Sequence, residues 1–146
     1  MRVVRVARVV RIVRAVLQQM LAEARSIPEV ECCGLLAGRA DVISVLLPAR
    51  QGLRSASAYE ISPPELFALF RHMRDAGLEH LGIYHSHPRG DNSPSSRDVE
   101  LAYYPAAAYF IVSPQVDALR PVRAFAIADG RSEELAIDVV DDDSRK

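Results

Sequence analysis

Short apolar runs rich in branched residues alternate along the chain with longer stretches in which apolar residues recur every three or four positions. The short runs are bounded by glycine, proline and charged residues, which predicts buried strands that are separated by turns. The predicted strands lie at 9–13, 33–38, 42–47, 81–85, 108–112, 122–126 and 135–140. The last two flank Asp129-Gly130, a dipeptide typical of a hairpin turn.

The longer stretches predict helices between the strands. Val16, Met20 and Ala24 share one face at four-residue spacing, which predicts a helix over 15–25. Because helices and strands interleave, we expect an α/β architecture. The segment at 48–58 has neither pattern and is expected to form an irregular loop.

Two serine- and proline-containing segments predict further helix starts. Ser62 precedes two prolines and a glutamate, which indicates a capped helix over 63–75 that Gly77 ends. A third helix is expected to begin after the Ser-Pro-Ser-Ser segment that starts at Ser93, with Ser93 as the preferred cap, and to end before Pro105.

Size and composition predict a single compact domain over residues 1–146, with flexible ends at 1–7 and 141–146. Hydrophobic residues make up 49% and charged residues 25%, the balance of a globular protein. Cys32 and Cys33 are adjacent, so no disulfide framework is implied, and a reducing, cytoplasmic compartment fits best.

Charge argues against some classes of partner. The net charge is −1 and the pI is near 6.4, which disfavours a nucleic-acid-binding protein. No apolar run approaches the roughly 20 residues of a membrane span, so no membrane association is expected. Residues 1–14 carry five arginines at a spacing of three, which does not place them on one face of either a helix or a strand. A solvated N-terminus is favoured there over a contact with RNA or a membrane.

The segment His85-Ser-His87 carries the most informative chemistry. On an extended chain the two imidazoles project from one face, with their Cα atoms roughly 6–7 Å apart at about 3.3 Å per residue. Both can then reach one metal ion, and Asp98, after ten intervening residues, can complete the set. Two histidines and one carboxylate leave a coordination position open, as in catalytic zinc sites. The alternatives are a pair of exposed loop histidines, or the ferrous iron of oxygenases, which uses the same ligand types.

Hydrolysis at such a site also needs a general base and a donor to the oxyanion. Glu31, just ahead of an apolar strand, is the candidate base, although it could be a solvated acid. Ser95 lies three residues before Asp98 and shares its helix face, although it could serve only at the helix entry.

The remaining cysteines and histidines are interpreted as structural. Cys32 and Cys33 are better explained as small buried residues than as reactive thiols. His72 is expected on a helix surface and His80 in a loop, neither of them a ligand.

Together, Glu31-Cys-Cys-Gly, His85-Ser-His-Pro and Ser95-x-x-Asp98 resemble the signature of the JAMM (MPN-plus) metalloproteases, and the resemblance covers nearly the whole chain. It implies one zinc ion held by His85, His87 and Asp98, with Glu31 as general base and Ser95 stabilising the oxyanion. It also implies a three-layer α/β/α domain around a curved mixed sheet, like that of the cytidine deaminases.

The resemblance further implies a substrate class, because compact bacterial members of the family act on ubiquitin-like sulfur-carrier proteins and cut after a terminal Gly-Gly. We therefore expect a zinc-dependent hydrolase of peptide or isopeptide bonds. The carrier tail is expected to lie against the segment at 48–58 and to pair with an exposed strand edge. The alternatives are a catalytically silent scaffold of the same fold and a metallopeptidase of small peptides.

Overall fold

A computed structural model describes residues 8–49, 61–89 and 91–141. These residues form seven strands and three helices, in the chain order β1 (Val9–Val13), α1 (Arg14–Ser26), β2 (Cys33–Arg39), β3 (Val42–Pro48), α2 (Pro63–Asp75), β4 (Glu79–Ser86), α3 (Ser96–Glu100), β5 (Ala108–Val112), β6 (Val122–Ala128) and β7 (Arg131–Val140). None of the helices in these ranges is long and apolar enough to cross a membrane.

The strands form one mixed sheet that closes on itself in the order β1-β3-β2-β4-β5-β6-β7. β1 is parallel to both β3 and β7, β4 is parallel to β5, and the other neighbours are antiparallel. The expected mixed sheet with helices is therefore present. The three-layer arrangement is not confirmed, because β1 joins the two ends of the sheet into a barrel.

Each face of the sheet carries its own hydrophobic core. One core draws residues from all seven strands and includes Val16, Met20 and Ala24 of α1, so α1 fills the inside of the barrel. The other combines alternate residues of β2, β5 and β6 with Ile83 of β4 and Met73 of α2. The core-facing residues of α1 are those that the four-residue spacing predicted.

The predicted elements agree with the observed ones apart from their boundaries and two details. β4 begins at Glu79, so His80 lies in a strand and the expectation that it lies in a loop is wrong. Its half-buried ring packs edge-on against Phe70 and Tyr104, which explains its place in the sheet. The helix α3 is shorter than expected, and Ser95 rather than Ser93 is its N-cap.

Some expectations fall on residues outside the described ranges. The ends at 1–7 and 142–146, and positions 50–58 of the expected loop and wall, belong to this group. The prediction for the first part of that loop is wrong at Pro48, which still belongs to β3.

A hydrogen bond across the barrel interior joins α1 to β4. The Tyr84 hydroxyl donates to Oε1 of Glu23 at 2.5 Å, and the Tyr84 side chain is fully buried. The ring passes over β2 at Gly34, where an added Cβ would lie 2.6 Å from Tyr84 Cε1. The carbonyl oxygen of Leu47 would lie 2.5 Å from the same Cβ, so glycine is required here by the close approach of both groups rather than by backbone conformation.

We expect Tyr84→Phe to lower the free energy of unfolding by about 1.5–3 kcal/mol, because it removes a buried hydrogen bond to a carboxylate. Urea denaturation measures this loss. Tyr103→Phe is the matched control, since Tyr103 is 70% exposed and should change stability very little. Equal stability of the two variants would contradict a structural role for the Tyr84 hydroxyl.

Candidate metal centre and active site

The two histidines of the predicted site lie at the end of β4. His85 lies within the strand and pairs with Cys33 on one side and with Ile111 on the other. His87 is the first residue after the end of the strand. Residues at i and i+2 of an extended chain face the same side, and the two Nε2 atoms are 3.2 Å apart. The backbone amide of His87 donates to the Val112 carbonyl at 2.9 Å, which extends the sheet by one residue.

Asp98 approaches the histidines from the first turn of α3. Its Oδ1 lies 3.1 Å from Nε2 of His85, and its Oδ2 lies 3.0 Å from Nε2 of His87. A tetrahedral ion with bonds of about 2.0–2.1 Å separates its ligand atoms by roughly 3.3 Å. The three side chains therefore converge with the spacing that one small metal ion requires, and they form a group able to hold such an ion.

A backbone carbonyl sets the tautomer of His87. Nδ1 of His87 lies 2.8 Å from the carbonyl oxygen of Asp91. Because a carbonyl can only accept, Nδ1 must carry the hydrogen, and in the neutral ring Nε2 is left with its lone pair. This is the nitrogen that faces Asp98, so the ring is oriented for metal binding.

The electrostatics of the three groups fit the same role. Burial holds the pKa of His85 below its ordinary value, in spite of the adjacent Asp98 carboxylate. Burial acts on His87 in the same direction, but hydrogen bonds with Asp98 and the Asp91 carbonyl outweigh it and raise the pKa of His87. Burial also opposes ionisation of Asp98, yet the two adjacent imidazoles and the hydrogen bond from the Ser95 amide hold the pKa of Asp98 well below the usual range. Asp98 is therefore a carboxylate at neutral pH.

Glu31 precedes β2 and lies close enough to His87 and Asp98 to be influenced by their charges. Burial raises the pKa of Glu31, His87 and Arg97 act against this rise, and Asp98 adds to it. Its Oε1 is buried and has no hydrogen-bond partner among the described residues. A desolvated carboxylate with an unused acceptor beside a ligand cluster has the properties of a general base.

Ser86, between the two histidines, faces the other way and fastens the segment that carries Glu31. Its hydroxyl accepts from the Cys32 amide at 2.9 Å, and its own amide donates to the Cys32 carbonyl at 3.0 Å. The sequence did not predict this role, because Ser86 bonds to the backbone of Cys32 and backbone groups are the same for every residue type. The alternation of His85, Ser86 and His87 gives the only hint, namely that Ser86 points away from the ligands.

Ser95 is the N-cap of α3, in a reciprocal arrangement with Asp98. The Ser95 hydroxyl accepts from the Asp98 amide at 3.1 Å, and the Ser95 amide donates to Asp98 Oδ2 at 2.8 Å. Ser93 instead donates its hydroxyl to Asp91 Oδ2 at 2.6 Å, so the expected Ser93 cap is wrong. Capping uses a lone pair of the Ser95 oxygen and leaves its hydrogen free to donate.

The thiols are unsuited to nucleophilic chemistry. Cys32 and Cys33 are free cysteines, and burial raises their pKa values to about 11 and about 12. Both are therefore protonated at neutral pH, as expected for residues that pack rather than react. His72 is exposed on α2 and is not a member of the group formed by His85, His87 and Asp98.

An apolar pocket of about 250 Å³ lies on the sheet face that carries His85 and was not predicted from the sequence. Leu35 and Ile83 line this pocket. Ile83 lies two residues before His85 in β4 and pairs with Leu35 of β2, so both side chains point to the sheet face that also carries His85. The sequence pattern that could have indicated this pocket is the alternation of apolar residues along the strands, but an ordinary hydrophobic core has the same pattern. The lining consists of Cys33, Leu35, Ile61, Pro63, Leu66, Ile83, Leu101, Tyr103, Tyr104 and Tyr109.

Comparison with known proteins identifies the family. Residues 13–127 match the family described as prokaryotic homologs of the JAB domain, and the chain belongs to that family. The resemblance to the JAMM proteins that the motifs predicted is therefore confirmed.

Individual relatives agree with this assignment. A CysO-cysteine peptidase from Mycobacterium tuberculosis is 34% identical over 128 residues, which cover 86% of this chain and 88% of that protein. A desampylase from Haloferax volcanii is 34% identical over 103 residues, 68% of this chain and 74% of that protein. A solution structure of a Desulfitobacterium hafniense protein has a TM-score of 0.76 at 29% identity, and covers 91% of this chain and 94% of its own.

The cap assignment leads to a stability prediction. We expect Ser95→Ala to lower the free energy of unfolding by about 1 kcal/mol, because it removes the acceptor of the Asp98 amide. Ser93→Ala should have a smaller effect, since Ser93 only contacts an exposed carboxylate. Denaturant unfolding of the metal-free proteins compares them, and a larger loss for Ser93→Ala would contradict the assignment.

Proposed function

We propose that this protein is a zinc-dependent hydrolase of peptide or isopeptide bonds, which cuts after the C-terminal Gly-Gly of a ubiquitin-like or sulfur-carrier protein. The convergence of His85, His87 and Asp98 beside the Glu31 carboxylate carries the proposal. The names of the relatives support the substrate class, since one is a CysO-cysteine peptidase and another is a desampylase.

The donor set supports one zinc ion as the cofactor. Two imidazole nitrogens and a carboxylate oxygen suit Zn²⁺, whereas Mg²⁺ and Ca²⁺ prefer oxygen ligands alone. Ferrous iron accepts the same donors, but the family membership favours hydrolysis over oxygen chemistry. When bound, a zinc ion would supply Lewis acidity, which lowers the pKa of water and polarises a carbonyl group.

Glu31 and Ser95 divide the remaining chemistry. The Glu31 carboxylate takes a proton from the attacking water and delivers it to the leaving amine, a transfer that its raised pKa favours. The Ser95 hydroxyl donates its free hydrogen to the oxygen that becomes negative in the tetrahedral intermediate. Ser86 keeps the Glu31 segment beside the histidines through its pair of hydrogen bonds.

The carrier tail is proposed to bind in extended form next to β3. Only Val42 and Ile43 of β3 pair with β1, so positions 44–48 have a described strand neighbour on one side alone. An extended tail can add to such an edge through main-chain hydrogen bonds. The segment at 48–58 is proposed to lie beside the bound tail as its wall.

We further propose that the protein acts in the cytoplasm, without a nucleic-acid or membrane partner. Two free adjacent cysteines fit a reducing compartment, and the net charge of −1 disfavours polyanion binding.

The metal site can be tested by titration. We expect the full chain to bind one equivalent of Zn²⁺, and Asp98→Asn to weaken this binding by at least about tenfold, because the ligand that carries the negative charge is neutralised. Competition with a chromophoric chelator measures the dissociation constants. Glu100→Gln, an exposed change in the same helix, is the matched control. A parent protein that binds no metal would favour the silent scaffold.

The reaction can be tested on a carrier protein extended by one cysteine or a short peptide beyond Gly-Gly, with intact-mass analysis. We expect release of the extension, loss of activity with a chelator, and a fall in kcat of at least about 100-fold for Glu31→Gln with zinc still bound.

Glu29→Gln changes an exposed acid two residues away and should cleave like the parent. Near-normal turnover by Glu31→Gln would exclude Glu31 as the base. Cleavage of free dipeptides but not of the carrier would favour a small-peptide metallopeptidase.

A further inference from the structure

The loop between His87 and α3 supplies the carbonyl that orients a metal ligand. The Asp91 carbonyl accepts from Nδ1 of His87 at 2.8 Å, and this carbonyl belongs to the peptide group between Asp91 and Asn92. The position of that peptide group therefore decides where the His87 ring points. A carbonyl on a loop can do this only if the loop is itself held in place.

Asn92 provides such a fixed point. Its side chain is buried, and Nδ2 donates to the carbonyl of Ile111 at 3.2 Å and to that of Arg120 at 2.9 Å. A primary amide has two N–H groups, so both hydrogens are used. Ile111 belongs to β5 and Arg120 lies just before β6, two antiparallel neighbours that a Ser113–Pro121 backbone bond also joins.

We infer that Asn92 is a positioning residue of the metal centre, which holds the Asp91 carbonyl against His87 and so keeps Nε2 directed at the ion. The path runs from two barrel carbonyls through the Asn92 amide and the Asp91–Asn92 peptide group to Nδ1 of His87. This inference rests on the proposed function, because it requires that His87 binds metal. Partners of this kind orient metal-bound histidines in many proteins.

Other contacts of the loop do not act on this carbonyl. Ser93 and Arg123 contact the carboxylate of Asp91, the latter at 3.7 Å, and the Asp91 side chain is largely exposed. The Gln115 amide donates to the Pro88 carbonyl at 3.0 Å, also at an exposed position. Water competes for these exposed bonds, whereas the Asn92 side chain is buried and its two bonds are more shielded from water.

The test uses the full chain with two substitutions. Asn92→Leu keeps the size of the side chain and removes both donors, and Ser93→Ala is the matched control in the same loop. Zinc dissociation constants come from competition with a chromophoric chelator, and visible absorption of the Co²⁺-substituted protein reports ligand geometry. Thermal unfolding and circular dichroism of the metal-free proteins show that each variant is folded.

We expect Asn92→Leu to weaken zinc binding about 10- to 100-fold and to change the cobalt spectrum, with Ser93→Ala like the parent in both. Asn92→Ala, which adds no bulk, repeats the test if leucine disturbs the fold. Folded Asn92 variants with the zinc affinity and cobalt spectrum of the parent would overturn the inference alone. A parent that binds neither metal would instead overturn the proposed function.

Discussion

The Asp98 carboxylate is the group on which the site depends, because it serves two structures at once. Oδ2 accepts from the Ser95 amide and closes the cap of α3, and both oxygens face the imidazoles of His85 and His87. The start of the helix and the geometry of the ligand cluster therefore cannot vary independently. Five residues of helix are too few to be stable alone, so this cap, the burial of Asp98 and the packing of Val99 against the second core hold α3 against the sheet.

The barrel holds the two histidines of the candidate site in position. His85 has a strand on each side, which fixes its backbone. Because successive side chains of a strand point to opposite faces, the Ser86 side chain points away from that of His85. Through its bonds to Cys32, Ser86 attaches the Glu31 segment to the same strand. One stretch of three residues thus places both imidazoles and, indirectly, the carboxylate proposed as base.

Local spacing was sufficient to predict that His85 and His87 share one face and where most elements lie, because His-x-His and the four-residue repeat of α1 each express the geometry of one element. Barrel closure was not predictable, since it depends on pairing between β1 and β7 at opposite ends of the sequence. The orientation of His87 was also hidden, because any residue at position 91 could supply a carbonyl. Ser93 and Ser95 both suit a cap by type. Only the reciprocal bond with Asp98 decides between them.

The arrangement is costly for stability, and this cost is itself informative. A buried acceptor on Glu31 that lacks a partner among the described residues loses its hydration without compensation. Asp98 and His85 are almost fully buried beside it, where a carboxylate and an imidazole are also expensive to desolvate. A core built only for stability would replace these groups with apolar side chains, as it does two positions back along β4 at Ile83. Because the unfavourable groups are concentrated at one end of β4 and converge on one point, chemistry rather than packing explains why they are there.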